Sequence, residues 1–187
     1  MSNPFVIGIA GGTCSGKSTL CETLKQQLNN DNIVVLNMDD YFKEVTPTTI
    51  APITRKEYPE HNHPDTLNLG KLYCDFDKAI SNKTLDYVII EGIFALYLDE
   101  IRERLDLKVF VDLQSDERII RRIHRFATYG QSFDEIATRY LDTVRFRHNE
   151  LVEPTRWHAD IIVNGTLDMH KGTEVLLTYI KSHKNNN

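Results

Sequence analysis

The feature that most limits how this chain can fold is a glycine-rich segment between an apolar run and an amphipathic stretch. Residues 11–18 read GGTCSGKS and match the pattern G-x-x-x-x-G-K-[ST]. The apolar residues 5–10 before it are typical of a buried strand. After it, Leu20, Leu24 and Leu28 recur at the four-residue spacing of a helix. A strand, a glycine-rich loop and a helix in this order predict a phosphate-binding loop that binds ATP.

Each part of this loop has an expected contact with the nucleotide. Glycines let backbone N–H groups converge on the phosphates, and the positive end of the following helix favours the same anion. Lys17 would meet the β- and γ-phosphates, and the hydroxyl of Ser18 would bind Mg²⁺. The residues of the loop predicted to bind ATP are Gly11, Gly12, Thr13, Cys14, Ser15, Gly16, Lys17, Ser18 and Thr19.

The rest of the chain alternates short apolar runs with longer helix-like stretches. Five runs read as strands: residues 5–10, 33–36, 87–90, 107–113 and 160–163. Helices are predicted at 18–28, at 67–80, after Ser115, after Ser132 and at 172–182. Ser132 with Glu135 three residues later forms a capping-box pattern. The order predicts a doubly wound α/β fold.

Composition limits the partners and the size of the protein. With 187 residues, 41% of them hydrophobic, the chain is expected to form a single domain over residues 1–187, with residues 183–187 as a frayed polar tail. A formal net charge of −5 argues against nucleic acid and membrane surfaces as partners and favours a small ligand. Three cysteines without paired spacing predict a reducing compartment, the cytoplasm. A homo-oligomer is left open.

Acidic residues follow two of the predicted strands at the edge where ligands gather in such sheets. Asp39 and Asp40 come after residues 33–36, and Glu91 comes directly after residues 87–90. Asp39 is the candidate for orienting and deprotonating an acceptor hydroxyl, and Glu91 the candidate for reaching Mg²⁺. The alternative is that the aspartates cap a turn and that Glu91 merely ends its strand.

Four arginines share one broad face of the helix predicted after Ser115: Arg118, Arg121, Arg122 and Arg125. Guanidinium groups suit phosphate oxygens, and an arginine on a movable lid can neutralise charge in the transition state. Residues 115–132 are therefore predicted to form a lid. The alternative is a solvated face paired with Asp116 and Glu117. Residues 43–64 contain four prolines and no clear pattern, and they are predicted to be a functional loop.

Several ordered blocks together resemble the uridine kinase (uridine/cytidine kinase) family over nearly the whole chain. They lie at residues 8–19 (GIAGGTCSGKST), 39–43 (DDYFK), 62–65 (NHPD), 88–93 (VIIEGI), 110–112 (FVD), 121–125 (RRIHR), 152–156 (VEPTR) and 159–163 (ADIIV). The resemblance implies a P-loop NTPase with three layers, a five-stranded parallel sheet and an arginine-rich helical lid. It also implies an ATP-dependent kinase that transfers the γ-phosphoryl group to uridine or cytidine.

The resemblance assigns roles to individual positions. It implies Asp39 as the catalytic base, Mg²⁺ near Ser18 and Glu91, and Arg125 as a lid contact to the ATP phosphates. Lys17 and Arg122 complete the catalytic set with Asp39. The substrate-binding set that the resemblance implies comprises Asp39, Phe42, Asn62, His63 and Arg122.

The chain departs from the family pattern at three places. Asn62 stands where the family has an Asp that holds the ribose hydroxyls, and residues 81–86 replace a longer hairpin that recognises the base. Tyr129 and Gln131 lie where the family lid has further arginines. These departures motivate a second hypothesis, a kinase for another acceptor such as nicotinamide riboside, pantothenate or a sugar phosphate. A third hypothesis is an NTP-dependent switch.

Overall fold

The computed structural model describes residues 3–28, 32–166 and 169–184. The strands are β1 (Phe5–Gly11), β2 (Ile33–Asn37), β3 (Thr48–Ile50), β4 (Glu57–Pro59), β5 (Tyr87–Glu91), β6 (Leu107–Asp112) and β7 (Ile161–Asn164). Five of them are parallel and form one sheet in the spatial order β2-β5-β1-β6-β7. The other two, β3 and β4, form an antiparallel hairpin.

The helices connect these strands and cover the sheet. They are α1 (Lys17–Leu28), α2 (Leu69–Ser81), α3 (Asp99–Arg102), α4 (Ser115–Ala127), α5 (Phe133–Arg139), α6 (Arg145–Arg147) and α7 (His170–Lys184). Two π-helical segments, Tyr140–Val144 and His148–Val152, lie before and after α6. Short 3₁₀ turns lie at Met38–Tyr41, Pro64–Thr66 and Glu153–His158.

The central strands are buried on both faces, which explains their continuous apolar sequence. On one face, Ile7 and Ile9 of β1 pack with Leu20 and Leu24 of α1 and with residues of α7. On the other face, alternate residues of the same strands pack with α2, including Phe76. Helices on both faces of a parallel sheet make three layers, so the predicted α/β fold class is confirmed.

The structure adds several elements that the sequence reasoning missed, among them α3, α6 and a hairpin. Residues 43–64 were expected to be a loop without regular structure, but they contain the β3–β4 hairpin. Each of its strands has only three residues, too few to show an alternating pattern. In contrast, the connection from α2 to β5 is as short as expected, since α2 ends at Ser81 and β5 begins at Tyr87.

The bounds of the expected helices agree with the structure to within two residues. Ser132 forms the expected capping box with Glu135. At the start of α2, the side-chain oxygen of Asn68 accepts a hydrogen bond from the backbone N–H of Lys71. The predicted frayed tail falls largely on residues 185–187, which lie outside the described residues. Within the described ranges, no helix is both long and apolar enough to cross a membrane.

Candidate active site

The phosphate loop joins β1 to α1 and has a backbone shape that glycine makes accessible. Gly11 has φ 144° and Gly16 has φ 106°, values that other residues rarely adopt. A Cβ at Gly11 would collide with the carbonyl oxygen of Val111 on β6. The backbone N–H of Ser15 donates to the carbonyl of Gly12 at 3.2 Å, which closes the turn. The predicted strand, loop and helix are therefore present.

Three polar side chains lie together at the carboxyl ends of the central strands. They are Lys17 and Ser18 at the start of α1 and Glu91 at the end of β5. Lys17 Nζ donates to the carbonyl oxygen of Gly12 at 3.0 Å, so its side chain folds back across the loop. The hydroxyl of Ser18 donates to Oε1 of Glu91 at 3.1 Å. Glu91 is paired in register with Ile9 of the central strand, which brings it to the start of α1.

Burial opposes charge on both Lys17 and Glu91. Burial lowers the pKa of Lys17, while the carboxylates of Glu91 and Asp39 partly offset that change. Burial also raises the pKa of Glu91, and Lys17 and the Ser18 hydroxyl partly offset it. Each group thus stabilises the charge of the other. A polyphosphate would pair with Lys17, and a cation would pair with Glu91.

Asp39 lies in the short turn that follows β2, at the same end of the sheet as Glu91, which is the last residue of β5. Asn37 is paired in register with Glu91, and its side-chain oxygen accepts from the backbone N–H of Asp39 at 2.9 Å. This capping bond engages only the backbone of Asp39. The side chain of Asp39 is exposed and lines the cavity. The capping role considered for the aspartates thus belongs to Asn37.

The four arginines of α4 divide into two groups. Arg122 is 9% exposed, donates through Nη1 to Thr13 Oγ1 at 3.0 Å and stacks on the ring of Phe126. Its buried Nε has no hydrogen-bond partner among the described residues. Arg125 is exposed and lines the cavity beside Lys17 and Ser18. Arg122 and Arg125 therefore both line the cavity.

The other two arginines of α4 have different partners. Arg121 Nη1 donates to the carbonyl oxygen of Gly165 at 2.8 Å, and Nη2 lies 3.7 Å from Glu117. Arg118 is buried behind the loop, where Nε donates to the carbonyl of Leu113 at 3.0 Å. A Cβ on Gly12 would lie 2.6 Å from Nη1 of Arg118. Arg121 still lines a depression beside Lys17 and Ser18, whereas Arg118 lines neither that depression nor the cavity, so the arginine face expected from periodicity is only partly a ligand-facing surface.

A cavity of about 410 Å³ lies between the phosphate loop, the turn after β2, α4 and the segment after the β3–β4 hairpin. This volume accommodates a small acceptor next to the nucleotide phosphates. Its walls are formed by Thr13, Cys14, Lys17, Ser18, Asn37, Asp39, Phe42, His61, Asn62, Glu91, Gly92, Ile93, Arg122, Arg125, Phe126, Gln131 and Arg139.

The outer wall of the cavity depends on contacts between the hairpin and the helical segments after α4. Glu60 is 3% exposed; its Oε2 accepts from Arg147 Nε at 2.9 Å and its Oε1 accepts from the backbone N–H of Asn62 at 2.7 Å. Asp142 accepts from the hydroxyl of Tyr58 at 2.6 Å and from that of Thr54 at 2.9 Å. These bonds fix residues 61–62 against the cavity.

Some predicted site residues lie elsewhere, and some wall residues were not predicted. His63 is not among the residues that line the cavity; its Nδ1 accepts from the backbone N–H of Asp65 at 3.2 Å and caps a turn. Thr19 is exposed on α1 and does not line the cavity either. His61 and Arg139 do line it. Neither was among the predicted site residues, because nothing local marks a residue that reaches the site through the hairpin.

The oxygen ligands near the loop fit a magnesium ion. Ser18 and Glu91 offer a hydroxyl and a carboxylate in hydrogen-bond contact, and Mg²⁺ needs only one or two protein oxygens when phosphates and waters complete its shell. The raised pKa of the buried Glu91 is also consistent with a site that gains from a cation. Among residues 3–28, 32–166 and 169–184, no group of three or more His, Cys, Asp or Glu side chains forms a separate metal cluster.

Comparisons with known sequences match this architecture. The family model for the phosphoribulokinase/uridine kinase family matches residues 78–170, and the model for Zeta toxin matches residues 1–107, which include the phosphate loop and β5. The chain is 31% identical to a uridine kinase of Lactobacillus helveticus (strain DPC 4571) over 206 positions, covering 97% of this chain and 96% of that one. That aligned length exceeds 187, so the alignment spans positions that this chain lacks.

A second relative and a solved structure agree with this assignment. The chain is 33% identical to a uridine kinase of Chloroflexus aggregans (strain MD-66 / DSM 9485), covering 87% of this chain and 88% of that one. A putative fructose transport system kinase from Silicibacter sp. TM1040 superimposes with a TM-score of 0.62 at 17% identity, over 87% of this chain and 90% of that one, which supports the fold. The chain thus belongs to the phosphoribulokinase/uridine kinase family and is an ATP-dependent phosphotransferase that acts on a hydroxyl group.

Proposed function

We propose that this protein transfers the γ-phosphoryl group of ATP to the 5′-hydroxyl of uridine or cytidine. The observation that carries the proposal is that Lys17, Ser18, Glu91 and Asp39 all face one cavity large enough for a small acceptor. Support for a nucleoside acceptor comes from relatives named uridine kinase that match nearly the whole chain. The product would be the nucleoside 5′-monophosphate.

Asp39 acts as the general base in this proposal. Phosphoryl transfer requires an oriented hydroxyl, and a carboxylate within hydrogen-bond reach can accept its proton as the bond to phosphorus forms. Asp39 is suited to this role because its backbone is held by Asn37 while its carboxylate is exposed to the cavity. Asn62, which lines the same cavity, can hydrogen-bond a ribose diol through its amide.

The cationic groups stabilise the phosphates and the transition state. Lys17 and the loop N–H groups bind the β- and γ-phosphates, while Arg122 and Arg125 approach the γ-phosphate from α4. Ser18 and Glu91 would hold Mg²⁺, which supplies charge neutralisation to the phosphate oxygens. Arg122 already contacts Thr13 of the loop, so it connects the proposed lid to the phosphate site.

A second candidate function keeps the kinase chemistry and changes the acceptor. The connection between α2 and β5, from Asn82 to Asp86, is too short to contain a base-recognising hairpin. This observation favours nicotinamide riboside, pantothenate or a sugar phosphate as the alternative acceptor. The switch hypothesis has no comparable support, since a nucleotide switch does not need a cavity next to Asp39.

The test uses purified protein with ATP, Mg²⁺ and a panel of acceptors. For wild-type protein we expect turnover of uridine or cytidine, and for Asp39→Asn a fall in kcat of about 10²–10⁴-fold with a smaller change in the KM for ATP. Asp40→Asn is the matched control, because Asp40 is exposed and does not line the cavity. Near wild-type turnover by Asp39→Asn would eliminate the proposed base.

A further inference from the structure

Arg118 is a buried cation that the proposed mechanism does not use. It is 4% exposed and lines neither the cavity nor the depression at the phosphate loop. Its Nε donates to the carbonyl oxygen of Leu113 at 3.0 Å, whereas its buried Nη1 has no hydrogen-bond partner among the described residues. Over residues 3–28, 32–166 and 169–184 it makes no ion pair, although Arg156 pairs with two carboxylates. These residues thus supply no counter-ion to Arg118.

The guanidinium group of Arg118 packs directly against Gly12 of the phosphate loop. A Cβ on Gly12 would lie 2.6 Å from Nη1 of Arg118, 3.0 Å from its Cζ and 3.0 Å from Cε1 of His148. Gly12 is not among the glycines of the loop with a positive φ, so a glycine is required here by the space that these side chains occupy. The carbonyl oxygen of Gly12 also accepts from Lys17 Nζ at 3.0 Å. Gly12 therefore contacts two cations, of which only Lys17 lines the cavity.

The side chains beside Arg118 do not neutralise its charge. Burial, followed by the charges of Arg118 and Lys17, lowers the pKa of His148 to about 3, so its imidazole is neutral at neutral pH. Glu153, which lies 3.2 Å from Nε2 of His148, is half-exposed and also pairs with Arg156. Because Arg118 and Lys17 both act on the same imidazole, their charges lie close together on the two sides of the loop.

The phosphates of a nucleotide are the counter-ion that this arrangement lacks. A buried charge without a partner costs free energy, because its transfer out of water is not offset by pairing. A triphosphate at the loop brings several negative charges to within one layer of backbone of Arg118, and charges in or near the protein interior are screened less than exposed ones. Binding of ATP would therefore recover part of the cost of burying Arg118.

We propose that Arg118 is a positioning residue for ATP, which holds Gly12 from behind the phosphate loop and supplies a positive charge that the nucleotide phosphates neutralise. This inference rests on the ATP site of the proposed kinase and not on the identity of the acceptor. Arg118 differs from Arg122 and Arg125, which line the cavity, because it acts through the loop backbone. A residue that served only in packing would be replaceable by a neutral side chain that keeps the bond to Leu113.

The test measures the Kd of ATP·Mg²⁺ for the full-length protein by calorimetry, without an acceptor. In Arg118→Gln the amide nitrogen stands where Nε of the arginine was, so it can still donate to the Leu113 carbonyl but carries no charge. We expect Arg118→Gln to raise the Kd about 10-fold or more, and Arg118→Lys, which keeps the charge, to stay within about 3-fold of wild type. Arg156→Gln is the matched control: its guanidinium already has carboxylate partners, so the Kd should change by less than about 2-fold.

A second measurement tests the contact with Gly12. Gly12→Ala places a Cβ against Nη1 and Cζ of Arg118, so we expect it to raise the Kd of ATP about 10-fold in the wild-type background. Both of these atoms are absent in Arg118→Gln, where the same change should raise the Kd by no more than about a further 3-fold. Additive effects of the two changes would show that Arg118 does not hold Gly12.

The outcomes separate the role of Arg118 from the function on which it rests. Wild-type affinity for ATP in Arg118→Gln, or an equal loss of affinity in Arg118→Gln and Arg118→Lys, would overturn the role of its charge. Thermal unfolding without nucleotide shows whether each variant is folded. If Arg118→Gln does not fold, a Kd for Arg118→Lys more than about 3-fold above wild type overturns the inference by itself. Protein that binds ATP as expected but phosphorylates neither uridine nor cytidine would contradict the proposed function alone.

Discussion

The phosphate loop and the segment that follows the β3–β4 hairpin both contribute to the walls of one cavity, but they are specified in different ways. The loop is closed by bonds among neighbours, such as Ser15 N–H to the Gly12 carbonyl, and its glycines are required by local backbone geometry. The hairpin is held by residues more than 80 positions away, including Asp142 and Arg147. Local sequence therefore encodes the donor side of the reaction, whereas distant contacts build the acceptor side.

The two walls also differ in how deeply their residues are buried. Behind the loop, Arg118 and His148 are buried within contact distance of Gly12. The hairpin is mostly exposed except at Ala51 and at Glu60, which follows it. We infer that changes at the loop impair both binding and chemistry, and that changes at the hairpin alter the acceptor while ATP binding is retained.

The largest effect that this comparison predicts is at Gly11. Gly11→Ala forces a side chain into φ 144° and against the carbonyl oxygen of Val111. Because a displacement of the loop misplaces the phosphates, we expect kcat/KM for ATP to fall by about 10²-fold. Gly70→Ala is the matched control: the new Cβ would lie 3.8 Å from the nearest atom, in the first turn of α2. Comparable losses in the two variants would contradict the special role of the loop.

The next largest effect is on how the free energy of unfolding depends on pH, and it comes from His148, which is buried behind the phosphate loop. Burial, with Arg118 and Lys17 nearby, lowers the pKa of His148 from 6.5 to about 3. Glu153 Oε2 lies 3.2 Å from Nε2 and opposes this shift, but Glu153 is half-exposed and its charge is screened by solvent, so burial dominates. Below pH 6.5 the unfolded chain therefore binds a proton that the folded protein does not, so the free energy of unfolding falls as the pH falls. From pH 7 to pH 5 this contribution is about 2 kcal/mol.

The measurement is urea unfolding of wild-type and His148→Gln protein at both pH values. The variant should be less stable at pH 7 but should lose about 2 kcal/mol less than wild type between pH 7 and pH 5. His158→Gln changes an exposed imidazole and should reproduce the wild-type difference to within about 0.5 kcal/mol. Parallel curves for wild type and His148→Gln would show that the imidazole is not kept neutral by burial.

A third effect, confined to the acceptor wall, is expected at Glu60. Glu60→Gln weakens the buried pair with Arg147 and the support of Asn62 N–H, so we expect KM for the acceptor to rise about 10-fold while KM for ATP stays within about 2-fold. Glu150→Gln removes the exposed partner of the same arginine and should change neither value by more than about 2-fold. An equal rise of both KM values in Glu60→Gln would mean that the two walls are not separate.

Sequence reasoning recovered the sheet, the phosphate loop and the acids at the strand ends, because each has a local pattern. Buried parallel strands read as apolar runs, and Glu91 was recognisable because polar residues at strand ends meet at one edge. The arginine-rich helix α4 was predicted, but not which of its arginines line the cavity. Periodicity places Arg118 and Arg122 on one face and cannot show that the loop lies over only part of that face.

The acceptor wall was not predictable in the same way. His61 and Arg139 have no local signature, and they lie together because Arg139 reaches the carbonyl of Pro59, 80 residues away in sequence. Residues 43–64 contain two strands of three residues, which pair with each other and with no strand of the main sheet. Propensity and periodicity carry little information over so short a segment.

The sequence by itself determined that this chain binds a nucleotide phosphate on a doubly wound sheet, since glycine, lysine and serine at fixed spacing between a strand and a helix have few other uses. Only the tertiary structure decided which residues face the acceptor. The reason is physical: a loop shape follows from the φ and ψ of consecutive residues, whereas the presence of Arg139 and Asp39 in one cavity follows from the packing of helix, hairpin and sheet.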